Sequence, residues 1–439
     1  MVKGPGSRWW PLVVALVVLC WSTRWSWSHN APIPPQDWHG DLRADAAGYY
    51  VYLPGAFHHG MRATGWSPDI MDLAGTSAFT LDTRTDRVRT KYTYGVALLE
   101  APFYFIAELL TAPDERMDGF SPTHRRLIEL AANCYWVLGC VLLGLAFQRR
   151  WPAAAWVPVV TLLFVSLGSN VWFYAARMPG YSHIHSFFAV SLALYALIRL
   201  LQGSDRWRSR LLFHAACALI ILIRPLDLIA VLGLYAWLAL ERPLLIGNWR
   251  WWASQAGAAL VLFLPQLLYW RFAYGSPFTY SYGEEGFTHW ASPALGKFLF
   301  APMNGWLPNA PVLLLFPLGL GVLWHLQRHM AVIIAAVLAL VIYACASWHT
   351  WTFGCAFGAR PLVQYMPFVA LAIHVFFSRT STRAIRWHTA LIPLVAAVVL
   401  LHHQAATTFD LCYPDVSPWD WSPYVGNLLH AVFGGHWQP

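Results

Sequence analysis

The chain has 439 residues, of which 58% are hydrophobic and only 11% are charged, and its formal net charge is +8. This composition excludes a soluble globular protein, because several apolar runs reach the length of about 20 residues that a helix needs to cross a bilayer. The modest positive charge calls for no nucleic-acid partner, since the cytoplasmic loops of membrane proteins are rich in lysine and arginine.

The chain begins with an apolar segment, residues 1–27, which we interpret as a first membrane span. No small-residue cleavage site follows it, so we expect this span to remain uncleaved. A long loop of mixed charge, residues 28–126, comes next. Within that loop, residues 93–112 are long enough to cross the membrane, but Glu100 and Glu108 interrupt them. Charged side chains that face lipid are costly, so this segment is ambiguous when it is taken alone.

Ten further apolar runs are predicted membrane spans. They cover approximately residues 127–147, 153–175, 183–202, 207–223, 226–241, 251–273, 309–327, 331–348, 361–378 and 387–404.

The short loops between these runs decide the orientation. If residues 93–112 re-enter or lie on the surface, the main short loops that hold arginine, such as Arg149–Arg150, fall on the cytoplasmic side. We therefore predict an all-α polytopic membrane protein with about eleven transmembrane helices and a large first non-cytoplasmic loop. It forms a single integral-membrane domain, in which residues 127–404 are a helical bundle and residues 405–439 are a non-cytoplasmic tail. The first loop contains re-entrant or interfacial helices.

This topology places five stretches on the non-cytoplasmic side besides the tail, and they hold most of the unusual polar residues. They are residues 28–126, 175–183, 224–225, 274–308 and 348–361.

A pair of carboxylates stands early in the first loop. Asp41 and Asp45 are four residues apart, a spacing that puts both on one face of a helix. One interpretation is a helix cap and a solvated carboxylate. The other is a general base at the membrane surface, close to a hydroxyl that it deprotonates. Tyr49 and Tyr50 follow directly and suit either stacking on a sugar or anchoring at the interface.

Two arginines lie at outer ends of predicted spans. Arg224 falls between two apolar segments, where an arginine usually faces a cavity or a partner. It either pairs with Asp227 or contacts an anionic lipid phosphate. Arg360 follows Gly354 and Gly358, which allow a tight turn or close approach of the backbone to a ligand. It belongs either to an interfacial belt or to a phosphate site.

Two further groups of polar residues have weaker signals. His183 and His185 point to nearly opposite sides of a helix, so we expect structural or substrate-binding roles and no shared metal ion. Glu284 lies in an outer loop rich in tyrosine and glycine, where it either holds a cation or sugar hydroxyls or is simply solvated. Cys355 and Cys412 both fall in outer segments, and a disulfide between them is left open.

Several motifs, in this order along the chain, resemble the GT-C superfamily of integral-membrane glycosyltransferases. More narrowly, they are similar to bacterial transferases of the dolichyl-phosphate-mannose and lipid-A-aminoarabinose types. The motifs are Asp45-x-x-Gly48-Tyr49-Tyr50-x-Tyr52-Leu53-Pro54, Tyr94-Gly95-x-Ala97-Leu98-Leu99-x-Ala101-Pro102-Phe103, Pro179-x-Tyr181-Ser182-His183, Arg224-Pro225, Trp351-Thr352-Phe353-Gly354 and Gly358-Ala359-Arg360.

The resemblance implies an inverting transfer of a sugar from a polyprenyl-phosphate donor to an acceptor hydroxyl on a glycan, lipid or protein. Asp45 matches the first-loop aspartate that serves as the base. Lys91, Arg224 and Arg360 are the candidate cations for the donor phosphate, where they would stabilise charge that develops on the leaving group. The family often has Asp-Glu at the base, whereas Ala46 follows Asp45 here, so no cofactor is assigned and a divalent cation is left open.

The same resemblance implies a multi-pass protein of the bacterial cytoplasmic (inner) membrane with its site facing outward. The alternative function is a transporter or flippase of lipid-linked sugars. Transporters often contain inverted repeats and polar residues near the bilayer midplane, and this sequence has no visible repeat. A polysaccharide polymerase or ligase is a third candidate, although those enzymes usually carry their large loop late in the chain. The sequence leaves the sugar, the acceptor and the polyprenyl length open.

Overall fold

The computed structural model describes residues 9–30, 42–203, 207–380, 385–409 and 417–434. Asp41 therefore lies outside the described residues, as does Cys412, whereas Cys355 is bonded in a disulfide. Within the described ranges, the ordered structure is helical except for one two-stranded antiparallel sheet.

The elements follow in chain order. The helices are α1 (Trp10–His29), α2 (Ala44–Tyr50), α3 (Tyr52–Phe57), α4 (Pro68–Thr76), α5 (Gly95–Leu110), α6 (Pro122–Arg150), α7 (Trp156–Leu167), α8 (Val171–Ala176), α9 (Ser182–Leu201), α10 (Trp207–Ile223), α11 (Leu228–Glu241), α12 (Pro243–Ile246), α13 (Trp249–Tyr274), α14 (Leu295–Phe300), α15 (Phe316–Leu326), α16 (Arg328–Ala346), α17 (Met366–Thr380), α18 (Ile385–Thr408) and α19 (Ser422–Phe433), and the strands are β1 (Phe79–Asp82) and β2 (Arg87–Thr90).

Six helical stretches in the described part of the chain are long and apolar enough to cross a membrane. They are Met117–Arg150, Ser182–Leu201, Trp249–Tyr274, Arg328–Ala346, Arg360–Arg379 and Leu391–Thr408. Two shorter apolar helices, Trp156–Leu167 and Pro311–Leu326, accompany them. The prediction of an all-α polytopic membrane protein is confirmed. The count of eleven spans stays a prediction.

The bundle is built around α9, which packs against α6 on one side and α10 on the other. Close contact between helices depends on small residues, because they allow neighbouring backbones to approach. Gly139 of α6 is one such position, since a Cβ atom there would lie 2.9 Å from the Phe187 ring. Gly319 of α15 is another, where a Cβ atom would lie 2.3 Å from the carbonyl oxygen of Ala372.

The first loop forms a compact layer that fixes the short helix α2. The Thr90 hydroxyl donates to the carbonyl of Gly48 at 2.6 Å, and the Tyr52 hydroxyl donates to the carbonyl of Tyr92 at 2.7 Å. Gly48 packs so closely that a Cβ atom would lie 2.9 Å from the Ala78 side chain. The β-hairpin therefore holds α2, and with it Asp45, in a defined position.

Helix α5 corresponds to the ambiguous segment 93–112. Glu100 on this helix is fully buried, 3.5 Å from His185. Glu108 accepts hydrogen bonds from His58 and His124 at 2.8 and 2.9 Å. Both glutamates are thus shielded by protein, as expected for a segment that does not expose them to lipid.

The orientation of the chain can be tested with reporter fusions. We expect fusions after Ala112 and after Trp437 both to report the non-cytoplasmic side, because this arrangement leaves the main short arginine loops inside. Alkaline phosphatase is active only outside the membrane, and green fluorescent protein fluoresces only inside. Each junction is fused to both reporters in turn, so one reporter serves as the control for the other. A cytoplasmic signal from the second fusion would reject the eleven-span topology.

Candidate functional site

A cavity of about 550 Å³ opens at one end of the bundle. Each of the five stretches that the sequence places on the non-cytoplasmic side contributes to its wall. One lining residue from each of them is Asp45, Tyr181, Arg224, Glu285 and Arg360. The elements that carry unusual polar residues therefore converge on one site, although they are far apart in the chain.

An ion pair between Asp45 and Arg360 stands on the cavity wall. Arg360 Nη2 donates to Asp45 Oδ2 at 2.7 Å, and the guanidinium carbon lies 5.2 Å from the centre of the Tyr181 ring. The Asp45 and Arg360 side chains are 22% and 14% exposed, so both are partly shielded from water yet reachable from the cavity. Asp45 belongs to the first turn of α2, and Arg360 begins a 3₁₀ turn that leads into α17.

The surroundings of Asp45 keep its carboxyl group ionised. Burial alone would raise its pKa, but the Arg360 charge, a hydrogen bond with Tyr92 and the charges of Lys91 and Arg224 together lower the pKa below its ordinary value. The group is therefore a carboxylate at neutral pH. A carboxylate accepts hydrogen bonds and protons only, which suits contact with a hydroxyl.

Arg224 presents a cation that no carboxylate of the described residues neutralises at close range. Its Nη1 donates to the Ser182 hydroxyl at 3.2 Å and lies 3.4 Å from His183 Nδ1. Within the described residues, no acidic oxygen lies within 4.0 Å of it. Asp227 does not form a direct pair with it and instead accepts hydrogen bonds from Gln364 and Tyr365.

Lys91 is the third cation of the cavity wall. Its ammonium donates to both carboxylate oxygens of Glu285, at 2.8 and 3.0 Å. It also lies 5.4 Å from the centre of the Tyr92 ring. The described wall thus carries three cations against two carboxylates, so an anionic group entering the cavity meets a net positive charge.

Tyr49 and His183 line the cavity, but two other predicted site residues, Tyr50 and Glu284, do not. Tyr49 stacks on Tyr92 with ring centres 3.9 Å apart. Tyr50 is fully buried elsewhere and donates to the carbonyl of Gly119 at 2.5 Å, because successive helix residues point about 100° apart. Glu284 is exposed outside the wall, in a turn that directs its neighbour Glu285 inward.

An aromatic part of the wall was missing from the sequence prediction. It consists of Tyr92, Tyr181, Trp270, Tyr280, Tyr282, Phe287, Trp348 and Phe353. Aromatic residues make up 16% of the chain, so those that line a site cannot be separated by composition from those in interfacial belts. Only Tyr181 and Phe353 had a useful signal, since each belongs to one of the motifs that resemble the GT-C superfamily.

The described residues contain no group of three or more histidine, cysteine, aspartate or glutamate side chains placed to hold a metal ion. The divalent cation that the sequence left open therefore has no evident ligand set in the part of the chain that the structure describes.

Comparisons with solved structures identify proteins with a similar fold. The chain matches ArnT from Cupriavidus metallidurans in the apo state with a TM-score of 0.54 and 18% identity, over 96% of this chain and 68% of that chain. The same ArnT bound to undecaprenyl phosphate matches with a TM-score of 0.55 and 16% identity, over 98% and 70%. The Archaeoglobus fulgidus oligosaccharyltransferase tethered with an acceptor peptide matches with a TM-score of 0.57 and 11% identity, over 91% and 55%.

No protein-family model matches the chain, and no curated protein matches it by sequence. The similarity is therefore one of fold. ArnT and the oligosaccharyltransferase are both GT-C superfamily membrane glycosyltransferases, so the chain has the GT-C fold that its motifs resemble. It spans about two thirds of ArnT and little more than half of the archaeal protein.

Proposed function

We propose that this integral membrane protein is a glycosyltransferase of the bacterial inner membrane. It moves a sugar from a polyprenyl-phosphate donor to an acceptor hydroxyl on the non-cytoplasmic face, with inversion, and Asp45 is the general base. The observation that carries the proposal is the convergence of one ionised carboxylate, Asp45, and three cations on a single cavity. A structural neighbour, ArnT, has been captured with undecaprenyl phosphate, which supports a lipid phosphate as the ligand class.

The cations account for donor binding. A sugar linked to a lipid through one phosphate carries a single negative charge, and among the described residues no carboxylate within 4.0 Å of Arg224 would compete for it. Charge grows on the phosphate as its bond to the sugar breaks, so fixed cations at this point stabilise the transition state more than the ground state. Arg360 and Lys91 can join Arg224 in this role by exchanging part of their contact with Asp45 and Glu285 for contact with phosphate.

The carboxylate accounts for activation of the acceptor. The acceptor hydroxyl oxygen attacks the anomeric carbon on the face opposite the phosphate, its proton passes to Asp45, and the bond between that carbon and the phosphate oxygen breaks. The products are an inverted glycoside and a polyprenyl phosphate. A phosphate that draws Arg360 away from Asp45 also makes this carboxylate more basic, which couples donor binding to activation of the hydroxyl.

The aromatic wall accounts for holding the sugar. Tyr49, Tyr92, Tyr282 and Trp348 present rings toward the cavity, and ring faces suit the apolar faces of sugars. Because hydroxyl groups at sugar edges need polar partners, Ser182 and His183 complete the wall with side chains that can supply them.

The experiment that tests the function is a donor-turnover assay. The purified protein in lipid nanodiscs is incubated with a panel of polyprenyl-phosphate sugars, and release of polyprenyl phosphate is followed by mass spectrometry. The proposal predicts release from at least one donor. If no donor is consumed and a lipid-linked sugar instead moves from one leaflet of the proteoliposome membrane to the other, the chain is a flippase.

The pH dependence of turnover provides a further prediction. The pKa of Asp45 is lowered from its ordinary value of 3.8, so the base stays ionised as the pH falls through 6 and 5. We expect kcat/KM to show no acid limb from Asp45 above about pH 4. In an Arg360→Gln variant the pKa of Asp45 should rise, because burial remains and the nearest cation is gone, and the acid limb should move to higher pH.

The measurement is kcat/KM for the donor across pH in both proteins. The Arg62→Gln variant is the control, since Arg62 is a surface residue of the same loop with its side chain 71% exposed. An acid limb well above pH 4 in the wild type that the Arg360 variant does not move would contradict the assignment of Asp45.

A further inference from the structure

Phe353 lines the cavity in a backbone conformation that few side chains adopt. Its φ is +56°, in the left-handed region, where glycine is free of strain and a bulky residue is not. Of the described residues that line the cavity, Phe353 is the one non-glycine residue with a positive φ. A glycine at this position would relieve strain that the phenylalanine maintains.

The side chain of Asn304 holds this conformation. Its Nδ2 donates to the carbonyl of Thr352 at 3.1 Å and to the carbonyl of Gly354 at 2.9 Å, so one amide group binds both carbonyls that flank Phe353. Carbonyl oxygens only accept, so the amide nitrogen and not its oxygen must face them. The Phe353 N–H in turn donates to the carbonyl of Thr350 at 3.0 Å. The backbone is therefore fixed on both sides of the Phe353 ring.

Asn304 is well suited to its place in the turn that faces this segment. Its side chain is 5% exposed, and its own φ is also +56°. Asparagine tolerates the left-handed region better than most other residues, so this conformation adds little strain at position 304. Of the two left-handed residues that meet here, only Phe353 departs from what its side chain prefers.

The conformation of Phe353 sets where its ring lies. The ring is nearly parallel to that of Trp348, with an angle of 10° between the planes and 6.4 Å between the centres. It also meets the buried ring of Phe298 at 65° and 6.4 Å. Phe298 thus supports Phe353 from the core, while Phe353 and Trp348 line the cavity. Strained residues persist where the surrounding structure fixes them, and they cluster at sites that bind ligands.

We propose that the Phe353 ring stacks on the apolar face of a sugar during transfer, and that Asn304 is the positioning residue that holds Phe353 in the left-handed conformation for this contact. The inference rests on the proposed function, which brings a sugar into the cavity. Aromatic ring faces suit the apolar faces of sugars. The sugar belongs either to the donor or to a glycan acceptor, and the kinetic experiment below separates these two sources.

Thermal unfolding tests the strain and the role of Asn304 without any substrate. Phe353→Gly and Phe353→Ala both remove the ring, but only glycine relieves the positive φ. Alanine is usually the more stabilising of the two, whereas here we expect the glycine variant to unfold at the higher temperature. In an Asn304→Gly background residue 353 can leave the left-handed region, so the difference should disappear. A Phe353→Ala variant at least as stable as Phe353→Gly in the native background would overturn the inference.

Two conservative substitutions test the stacking contact. Phe353→Tyr keeps the flat ring face and should keep most of kcat/KM, whereas Phe353→Leu keeps apolar bulk without a face and should lose about 2–10-fold. Each substrate is varied while the other is saturating. A higher KM for the donor assigns the contact to the donor sugar, and a higher KM for the acceptor assigns it to the acceptor. Phe278→Leu is the control, since Phe278 is 76% exposed and outside the cavity wall. Equal activities of Phe353→Tyr and Phe353→Leu would overturn the contact.

Asn304→Asp tests the positioning role, because a carboxylate of nearly the same shape cannot donate to the two carbonyls. It should raise the same KM as Phe353→Leu, and the double variant should lose little more, since both changes remove one contact. Asn304→Gly, which suits the positive φ and adds no charge, should behave alike and serves if Asn304→Asp does not fold. The matched control is Asn248→Asp, because the Asn248 side chain accepts from the Arg250 N–H at 3.0 Å and an aspartate also accepts.

Additive losses in the double variant, or a higher KM for the other substrate, would overturn the positioning role of Asn304. If the wild type turns over no donor, the proposed function fails, and the unfolding temperatures still decide whether Asn304 holds Phe353 in its strained conformation.

Discussion

Replacing Asp45 by asparagine is expected to lower donor turnover by about 10²–10⁴-fold, the range for loss of a general base. A hydroxyl is a poor nucleophile near neutral pH, so its proton must leave as the new bond forms. Asparagine keeps the size and much of the hydrogen bonding of Asp45 but removes its basicity. Expression and membrane insertion should remain intact, because Asp45 lies at a cavity wall and not in the core of the bundle.

The controls for this prediction are the same change at two other aspartates of the first loop. Asp69→Asn changes an exposed residue on α4 away from the cavity and should be fully active. Asp41→Asn, four residues before Asp45, should have a smaller effect, as a residue that orients the acceptor. An inactive Asp41 variant beside an active Asp45 variant would reassign the base. If both variants are fully active, the flippase becomes the better account.

Arg224→Ala and Arg360→Ala are expected to weaken use of the donor more than folding. Loss of a charge-assisted contact to phosphate should cost about 1.5–3 kcal/mol, or roughly 10–150-fold in kcat/KM for the donor. The Arg224 variant should show the simpler effect, since Arg224 has no acidic partner within 4.0 Å in the described residues. The Arg360 variant also releases Asp45 from its ion pair, so its pH profile should change as well.

Steady-state kinetics with a single donor and acceptor measure this prediction. Arg224→Lys keeps the charge but loses the planar guanidinium group, so its kcat/KM for the donor should lie between those of the wild type and the alanine variant. Arg62→Ala serves as the surface control, and thermal unfolding of each variant checks the fold. Unchanged turnover in both alanine variants would remove Arg224 and Arg360 from the site.

Hydropathy and charge predicted the membrane fold, and they assigned to one side of the membrane the five stretches that form the cavity. These properties are local, because a span is recognised by its own composition and a loop by its own arginines. The contact between Asp45 and Arg360 could not be predicted from the sequence, since 315 residues separate the two and only packing of the whole bundle brings them together. The sequence suggested a phosphate contact for Arg360 and gave no sign of its carboxylate partner.

Two predicted site residues, Tyr50 and Glu284, do not line the cavity although a direct neighbour of each one does. The reason is again the path of the backbone, here over a few residues. Tyr49 and Tyr50 look alike in sequence, but successive residues of α2 point about 100° apart, so only Tyr49 faces the cavity. Glu285 and not Glu284 reaches Lys91, because the turn before it sets which side chain points inward. A motif locates a site to within a few residues, and the backbone path then chooses among them.

The central claim is that the cavity transfers a sugar and does not merely bind or move a lipid. The most direct measurement incubates the purified protein with one polyprenyl-phosphate sugar and one acceptor, and quantifies polyprenyl phosphate and glycosylated acceptor in the same sample. The account predicts that both products form in equal amounts, with inverted configuration at the anomeric carbon, and that the Asp45→Asn variant forms neither at a comparable rate. Donor that stays intact while it changes leaflet in proteoliposomes, or equal product formation by the wild type and the Asp45→Asn variant, would contradict it.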